Sequence, residues 1–274
     1  MMTHSHPSII LIGGGKMGGA MLEGWLKRGV APDSIAVIDP HASPWLLALA
    51  QQRGFAVNPA LGSAGEPSVL VLAIKPQMLD SAAATLEPLA GPRTLVISVL
   101  AGKTIADLAS RMPRAGNIVR AMPNTPAAVG RGITGIAARP GAGPEVMALA
   151  SDLLSAVGAV VDVRDEALID AVTAVSGSGP AYVFYLTECL AKAGTAAGLP
   201  PEIAARLARA TVEGAGELLF QDRENAPDQL RVNVTSPGGT TAAALAVLMG
   251  PDGLAPLMER AVAAAKRRAE ELAG

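Results

Sequence analysis

The chain has 274 residues, half of them apolar, with a formal net charge of -2, so it can bury ample core and exerts no long-range pull on nucleic acid or an anionic membrane. Aromatic residues make up only 3%, which leaves little for base stacking, and the lone cysteine, Cys189, supports neither an internal disulfide nor a zinc framework. Met1 to Ser8 is too short and polar for a signal peptide, and no apolar run nears the roughly 20 residues that span a bilayer. A cytoplasmic location without membrane or nucleic-acid partners is therefore expected.

Ile9-Ile10-Leu11-Ile12, bounded by glycine, has the pattern of a strand buried on both faces, and Met17, Met21, Leu22 and Trp25 recur after it at helical spacing. Between them stands Gly13-Gly14-Gly15-Lys16-Met17-Gly18, a GxGxxG turn. In such a turn Gly13 permits the tight bend, Gly15 lets backbone approach a pyrophosphate, and Gly18 lets the helix close on the strand, with phosphates facing the unpaired N–H groups of the helix start. Ile35 to Ile38 is a second apolar strand ending in Asp39, about twenty residues past the last glycine, where a carboxylate bonds a ribose 2′-hydroxyl. Strand, helix, strand and acid together predict a bound dinucleotide; a ligand-free glycine turn accounts only for the glycines.

Pro44 to Arg53 reads as a helix and Gly54 to Val57 as a short strand, and Pro59 to Glu66 is turn-rich, with Ser63 and Glu66 spaced as a capping box. Val69 to Ile74 and Thr94 to Val99 read as strands, the first ended by Lys75-Pro76, where proline suits a first helical turn. Ala101-Gly102-Lys103 is a turn, and Thr104 is the expected N-cap of a helix through Arg111. Asn117 to Arg120 and Gly132 to Ala137 follow as strands, Glu145 to Ala156 as a helix and Ala159 to Val163 as the last strand. This alternation predicts an α/β dinucleotide-binding domain over 1–163, an open doubly wound sheet with ligands at the carboxyl ends of its strands.

Beyond Val163, helical patterns run over Glu166 to Val175, Ala181 to Gly198, Pro201 to Phe220, Thr240 to Met249 and Leu254 to Leu272, so 164–274 is expected to be all-helical. Ala204, Ala205, Ala208, Gly214 and Ala215 let helices approach closely, and Ala242 to Met249 is apolar nearly all round. A partner subunit or a compact monomeric bundle would bury such faces, the partner being the better-supported reading. Lys266-Arg267-Arg268 suits a helix C-terminus rather than a nucleic-acid patch.

His4 and His6 lie in the leading tail and His41 follows Asp39, so no histidine is placed for general acid/base work, and no metal site is expected. Four loops remain. Ala73-Ile74-Lys75-Pro76 ends a buried strand near the cofactor crevice, with Lys75 either a site residue or a solvated lysine at a helix start. In Arg120-Ala121-Met122-Pro123-Asn124-Thr125-Pro126 two prolines stiffen a loop from which Asn124 offers both donor and acceptor. Ser176-Gly177-Ser178-Gly179-Pro180-Ala181-Tyr182 leads into a helix, as an anion holder or equally as a cap or a glycine contact. Thr235-Ser236-Pro237-Gly238-Gly239-Thr240-Thr241 is the better anion site: the N–H groups of Gly238, Gly239 and Thr240 make a nest for a carboxylate beside the Thr241 hydroxyl. Thr240 as an ordinary N-cap would explain one hydroxyl only. Two such helix starts with a dinucleotide suggest hydride transfer to or from a small carboxylate.

In this order, and over essentially the whole chain, these motifs resemble pyrroline-5-carboxylate reductase. The glycine turn is common to many dehydrogenases, whereas the four later motifs together are specific. The resemblance implies reduction of the cyclic imine 1-pyrroline-5-carboxylate to L-proline by NAD(P)H, the last step of proline synthesis. It also implies a Rossmann-like sheet followed by a helical dimerisation domain, with intertwined subunits building each site together and larger rings of dimers in some members. On that pattern the cofactor meets Gly13, Gly14, Gly15, Lys16, Met17, Gly18, Asp39, Ala73, Lys75, Pro76, Ala101, Gly102, Met122, Pro123 and Asn124. The substrate meets Ser176, Gly177, Ser178, Gly179, Ser236, Gly238, Gly239 and Thr240, its carboxylate on the Gly238 to Thr240 N–H groups; Thr241, hydrogen-bonded to the ring nitrogen, and Lys75 are the catalytic residues. Such an imine is protonated near neutral pH, so no strong protein acid is needed, and catalysis is mostly orientation.

One departure concerns the cofactor. NADPH-preferring members carry polar and basic residues after the second strand, whereas Asp39-Pro40-His41-Ala42-Ser43 stands here; the carboxylate leans the chain to NADH, with His41 and Ser43 still available to a 2′-phosphate. Two rivals are weaker. A beta-hydroxyacid dehydrogenase needs a lysine with an asparagine close behind it, but Lys192 is followed by Ala-Gly-Thr-Ala. A non-catalytic nucleotide sensor leaves the Ser236 to Thr241 cluster unexplained.

Overall fold

Branched aliphatic runs form the centre of the sheet because helices cover both of its faces. The structure, a computed structural model, describes residues 8–60 and 66–273; His4, His6 and Ser63 lie outside the described residues. Its chain divides into two compact units, Met1–Gly177 with Lys266–Gly274, and Ser178–Ala265.

The first unit runs β1 (Ile9–Ile12), α1 (Lys16–Lys27), β2 (Ile35–Ile38), α2 (Pro44–Arg53), β3 (Ala56–Val57), β4 (Val69–Leu72), α3 (Leu79–Leu86), β5 (Leu95–Ser98), α4 (Ile105–Arg111), β6 (Asn117–Met122), β7 (Gly132–Ala138), α5 (Pro144–Ser155), β8 (Gly158–Asp162) and a short α6 (Ile169–Val172). The strands lie in the order β3-β2-β1-β4-β5-β6-β7-β8, with Ile9 in register with Ile35 on one side and Val69 on the other. Alternate residues of each strand feed opposite cores. Ile9, Leu11, Val69 and Val71 join Trp25, Leu22 and Leu153 on one face, and Ile10, Ile12, Leu70 and Leu72 join Leu79, Leu86 and Leu108 on the other. The buried Trp25 indole donates to the Leu153 carbonyl at 2.9 Å, tying α1 to α5. Strand order reverses at β1, which opens a crevice at the carboxyl ends of β1 and β4.

Three features depart from the sequence-based expectation. β6 and β7 are antiparallel, because the connection 123–131 holds only a 3-10 turn, Thr125–Val129, and a parallel crossover needs roughly a dozen residues or more. Segment 166–177 is not one helix but a 3-10 turn, α6 and a π turn over Thr173–Gly177. Arg120 of β6, its side chain only 5% exposed, pairs with Glu166 and Asp170 at 3.3 Å each, which holds this segment to the sheet. The compact units accordingly divide after Gly177, fourteen residues past the expected boundary at 163. The capping box expected between Ser63 and Glu66 lies outside the described residues; Glu66 itself accepts from the Arg93 N–H at 2.8 Å.

The second unit holds α7 (Gly179–Ala196), α8 (Pro201–Gln221), α9 (Pro227–Asn233), α10 (Thr240–Leu248) and the greater part of α11 (Leu254–Ala273). α9 has no counterpart in the sequence reading, since seven residues carry too little periodicity. Ala204 and Ala208 are buried, and a Cβ on Gly194 would meet the Ala204 Cβ at 3.2 Å, so α7 and α8 do approach closely there; Gly214 faces open space. Among the described residues, no helix is long and apolar enough to cross a membrane, and no cluster of His, Cys, Asp and Glu could hold a metal ion.

Thr104 caps α4 as expected, and Asp107 completes a capping box: the Asp107 N–H donates to Thr104 Oγ1 at 3.1 Å, and the Thr104 N–H donates to Asp107 Oδ2 at 2.9 Å. Burial works against the Asp107 carboxylate, but the Thr104 N–H and hydroxyl, with Lys103 and Arg111, outweigh it and hold its pKa below the ordinary value. A carboxyl depressed on folding adds stability above its unfolded pKa and loses it as pH falls through the folded one. Asp107→Asn should therefore lower the denaturation midpoint at neutral pH, and its gap to wild type should close below about pH 4. A gap that persists in acid would contradict the cap.

Candidate functional site

The β1–α1 turn is shaped by two internal constraints and one external opening. Gly13 has φ of +96°, and a Cβ on it would sit 2.7 Å from the Ala73 carbonyl oxygen. A Cβ on Gly18 would fall inside the Gly13 carbonyl oxygen. By contrast a Cβ on Gly15, the residue preceding α1, would meet nothing within 4 Å, so the space over the helix start, where N–H groups lack intrahelical partners, is free for a phosphate. Met17 packs against the first core cluster, supporting the turn from below.

Asp39 ends β2 beside this turn. Its Oδ2 accepts from the Gly14 N–H and its Oδ1 from the His41 N–H, both at 2.9 Å. Gly14 is thus engaged by the carboxylate, a use the sequence reading did not foresee. Two clefts flank the turn and share Gly15, Asp39 and His41. The larger, about 460 Å³, continues along Ala73, Lys75 and Ser81. The other, about 450 Å³, runs past Lys16, Ser43 and Trp45. Pro76 opens a 3-10 turn directly after Lys75. A cleft of this size beside a glycine turn and a carboxylate fits a dinucleotide.

Two expected cofactor residues have internal partners. Gly102, with φ of +69°, lies where a Cβ would be 2.9 Å from the Leu272 carbonyl oxygen, so α11 closes over the Ala101-Gly102 turn. The Asn124 amide is buried and bonded at both ends: Oδ1 accepts from the Ile133 N–H at 3.0 Å, and Nδ2 donates to the Ser176 carbonyl at 3.2 Å. The loop after β6 is thereby joined to the π turn, where a Cβ on Gly177 would sit 2.8 Å from Met122 Cε. Pro123 is buried in the same loop. Arg120, quoted in the sequence motif without a role, supports this wall through Glu166 and Asp170, and Glu166 also accepts the Ile105 N–H at 2.7 Å.

Within the π turn, the Ser176 hydroxyl donates to the Val172 carbonyl at 3.0 Å. In the second unit, Ser178 precedes α7 without a side-chain cap, and a Cβ on Gly179 would meet nothing within 4 Å. Ser236 to Thr241 turn into α10 as expected, with one correction. The Gly239 N–H donates to the Ser236 carbonyl at 3.0 Å, because Ser236 to Gly239 close a turn. Of the expected donors, the Gly239 N–H is thus taken up within the turn, and the N–H groups at the start of α10, which lack intrahelical partners, are those of Thr240 and Thr241.

Residues 166–272 match the family described as pyrroline-5-carboxylate reductase dimerisation, and residues 8–102 match that described as coenzyme F420-dependent NADP oxidoreductase. The chain is 46% identical over 265 residues to the pyrroline-5-carboxylate reductase of Synechocystis sp., covering 96% of this chain and 97% of that one. It belongs to the pyrroline-5-carboxylate reductase family. The reductase of Pseudomonas aeruginosa is 38% identical over 269 residues, 98% of each chain. Among solved structures, the family member from Coxiella burnetii superposes with a TM-score of 0.89 at 35% identity, over 98% of this chain and 99% of that one. The Plasmodium falciparum pyrroline carboxylate reductase, solved with NADP bound, superposes with a TM-score of 0.78 at 25% identity, over 98% of this chain and 99% of that one.

Asn124 offers the clearest test of this wall. Asn124→Ala leaves the Ile133 N–H without its acceptor in a buried position and should destabilise the chain by about 1–3 kcal/mol. Asn124→Asp keeps that acceptor but turns an unpaired carboxylate oxygen onto the Ser176 carbonyl in a buried position, and should be no more stable than Asn124→Ala in urea denaturation. Equal stability of all three would mean that the amide bridge carries nothing.

Proposed function

We propose that this chain reduces the C=N bond of 1-pyrroline-5-carboxylate to give L-proline, with NAD(P)H as hydride donor, the last step of proline synthesis. What carries this reading is identity to named pyrroline-5-carboxylate reductases along nearly the whole chain. The open space above Gly15 and the carboxylate beside it fit the dinucleotide. Residues 1–163 are proposed to carry the dinucleotide, and 164–274 the substrate anion and the subunit contacts.

Bound NAD(P)H supplies a hydride, which the imine carbon accepts while the ring nitrogen, protonated in the substrate, becomes the amine of proline. The chain's part is positioning. Gly15, Lys16 and the first turn of α1 hold the pyrophosphate, with Gly14 fastened to Asp39 beside them; Ala73, Lys75 and Pro76 border the adenosine side, with Lys75 a second cation near the phosphates. Met122 and Pro123 wall the reacting ring, whereas Asn124, Gly102 and Met17 act by shaping that wall and the turn. Ser176 to Gly179 shape the opposite wall. Ser236, Gly238 and Thr240 hold the substrate carboxylate, and the Thr241 hydroxyl orients the ring nitrogen, so orientation in place of a strong acid accounts for the rate.

Asp39 supports NADH as the preferred donor. Each of its oxygens accepts one backbone N–H and retains acceptor capacity for a ribose hydroxyl, while its charge opposes a 2′-phosphate. The second unit supports a homodimer: Phe184 is 64% and Leu218 61% exposed, and neither α7, α9 nor α10 buries a residue. Large apolar side chains left exposed on several helices of one unit are what a partner surface covers. A cytoplasmic location suits a chain whose one cysteine, Cys189, is free and exposed.

With 1-pyrroline-5-carboxylate and either dinucleotide, wild type should oxidise the nicotinamide, with the higher kcat/KM for NADH, and Thr241→Ala should lower kcat/KM by about a hundredfold. A strong NADPH preference would remove the Asp39 argument, an unaffected Thr241→Ala would remove that residue's role, and no turnover would remove the function. Sedimentation equilibrium should return at least twice the 27.6 kDa chain mass; a monomer at micromolar concentration would overturn the dimer.

A further inference from the structure

Asn58 follows the two-residue edge strand β3 in a left-handed conformation, φ +50°, which asparagine tolerates better than most residues. Its N–H extends the parallel ladder by donating to the Val37 carbonyl at 2.8 Å. Its side chain turns across the end of β2. There the Asp39 N–H donates to Asn58 Oδ1 at 2.8 Å, and Asn58 Nδ2 donates to the Asp39 carbonyl at 2.9 Å. Both peptide groups of one residue are thus held by one side-chain amide.

The Asp39 carboxylate is held separately, by the N–H groups of Gly14 and His41. With the Ala42 N–H, which also donates to the Asp39 carbonyl at 3.2 Å, five hydrogen bonds converge on a single residue just beyond the last residue of its strand, and the side chain that supplies two of them is exposed to solvent. The hydrophobic core asks for none of this: Asn58 stands outside both buried clusters. Together the five bonds fix the direction of a carboxylate. Left free, Asp39 would sample other rotamers, and a swung-away carboxylate would vacate the place that distinguishes a ribose hydroxyl from a phosphate, with His41 and Ser43 alongside.

We propose that Asn58 is a positioning residue for dinucleotide selection: its amide clamp on the Asp39 peptide keeps the Asp39 carboxylate turned to the cleft, so that the site takes a 2′-hydroxyl and refuses a 2′-phosphate. The inference rests on the reading of Asp39 as the residue that meets the adenosine ribose. Asn58 touches no part of the dinucleotide; it acts through Asp39. Loss of the clamp weakens NADH and relaxes the exclusion of NADPH, so the two affinities move apart from their wild-type ratio rather than together.

The test uses full-length protein and direct binding, with dissociation constants for NADH and NADPH read from nucleotide fluorescence without substrate, for wild type, Asn58→Gly, Asp39→Ala and the double variant. Glycine keeps the left-handed backbone and removes only the amide. Asn58→Gly should raise the NADH dissociation constant about fivefold to tenfold, leave that for NADPH unchanged or lowered, and keep kcat at saturating NADH. In the Asp39→Ala background it should do nothing further. Equal weakening of both dinucleotides, with a lowered denaturation midpoint, would show a structural role only and overturn the inference. No change in Asn58→Gly alongside weakened NADH in Asp39→Ala would overturn the clamp and spare the Asp39 reading. Unchanged NADH affinity in Asp39→Ala would overturn both.

Discussion

No side chain can stand at Gly18, because its Cβ would occupy the Gly13 carbonyl oxygen. This one steric constraint sets how near α1 lies to β1, and much of the first unit follows from it. At that distance Met21, Leu22 and Trp25 reach into the core with no exposed surface to speak of, and the Trp25 indole meets the Leu153 carbonyl. Gly24, farther along the same helix, faces the Ala156 carbonyl, where a Cβ would sit at 2.6 Å. The helix is thus held at both ends by close backbone approach, and its first N–H groups point over Gly15 into open space. A dinucleotide site needs just that: a rigid helix start with nothing in front of it.

The opposite wall is built by a different kind of interaction. Arg120 is buried in the sheet and must be paired, since an uncompensated charge there would be severely costly. Its partners, Glu166 and Asp170, come from a segment that the family description assigns to the dimerisation region, yet that packs with the sheet. Ser176 and Gly177 are drawn along, and the Asn124 amide fastens the Ser176 carbonyl. A π turn ending in glycine is what remains when a helix is anchored at its start by an ion pair and at its end by an amide. Such turns occur often at functional sites.

The sequence was most readable where one residue type has one physical reason. The glycine turn, the acid at the end of β2 and the Thr104 cap were all legible, because each answers a local requirement of backbone or of an unpaired N–H group. Periodicity reports which face is buried but not what covers it, so the antiparallel β7 and the division after Gly177 escaped. Strand direction follows from the length of the connection, 123–131 once β6 is seen to run to Met122, which is too short for a parallel crossover. Gly102 and Asn124 fit a cofactor motif on paper; in the fold the first yields to the Leu272 carbonyl and the second bridges two loops. Glycine and amide side chains serve a ligand or a neighbouring backbone equally well, and only the coordinates name the neighbour.

α10 joins these threads in the second unit. Its first turn carries Thr240 and Thr241 and the N–H groups proposed for the substrate anion, while its far end exposes Val247, 75% accessible, and Met249 follows at 61%. A helix of this length is marginal in water unless an apolar face is covered. On the dimer reading, the second chain that covers Val247 and Leu248 also fixes the helix whose start aims the Thr241 hydroxyl. Burial of the apolar end and orientation of the polar end are then one event: the free energy of association holds the hydroxyl in place, and catalysis by orientation has its support in the subunit contact.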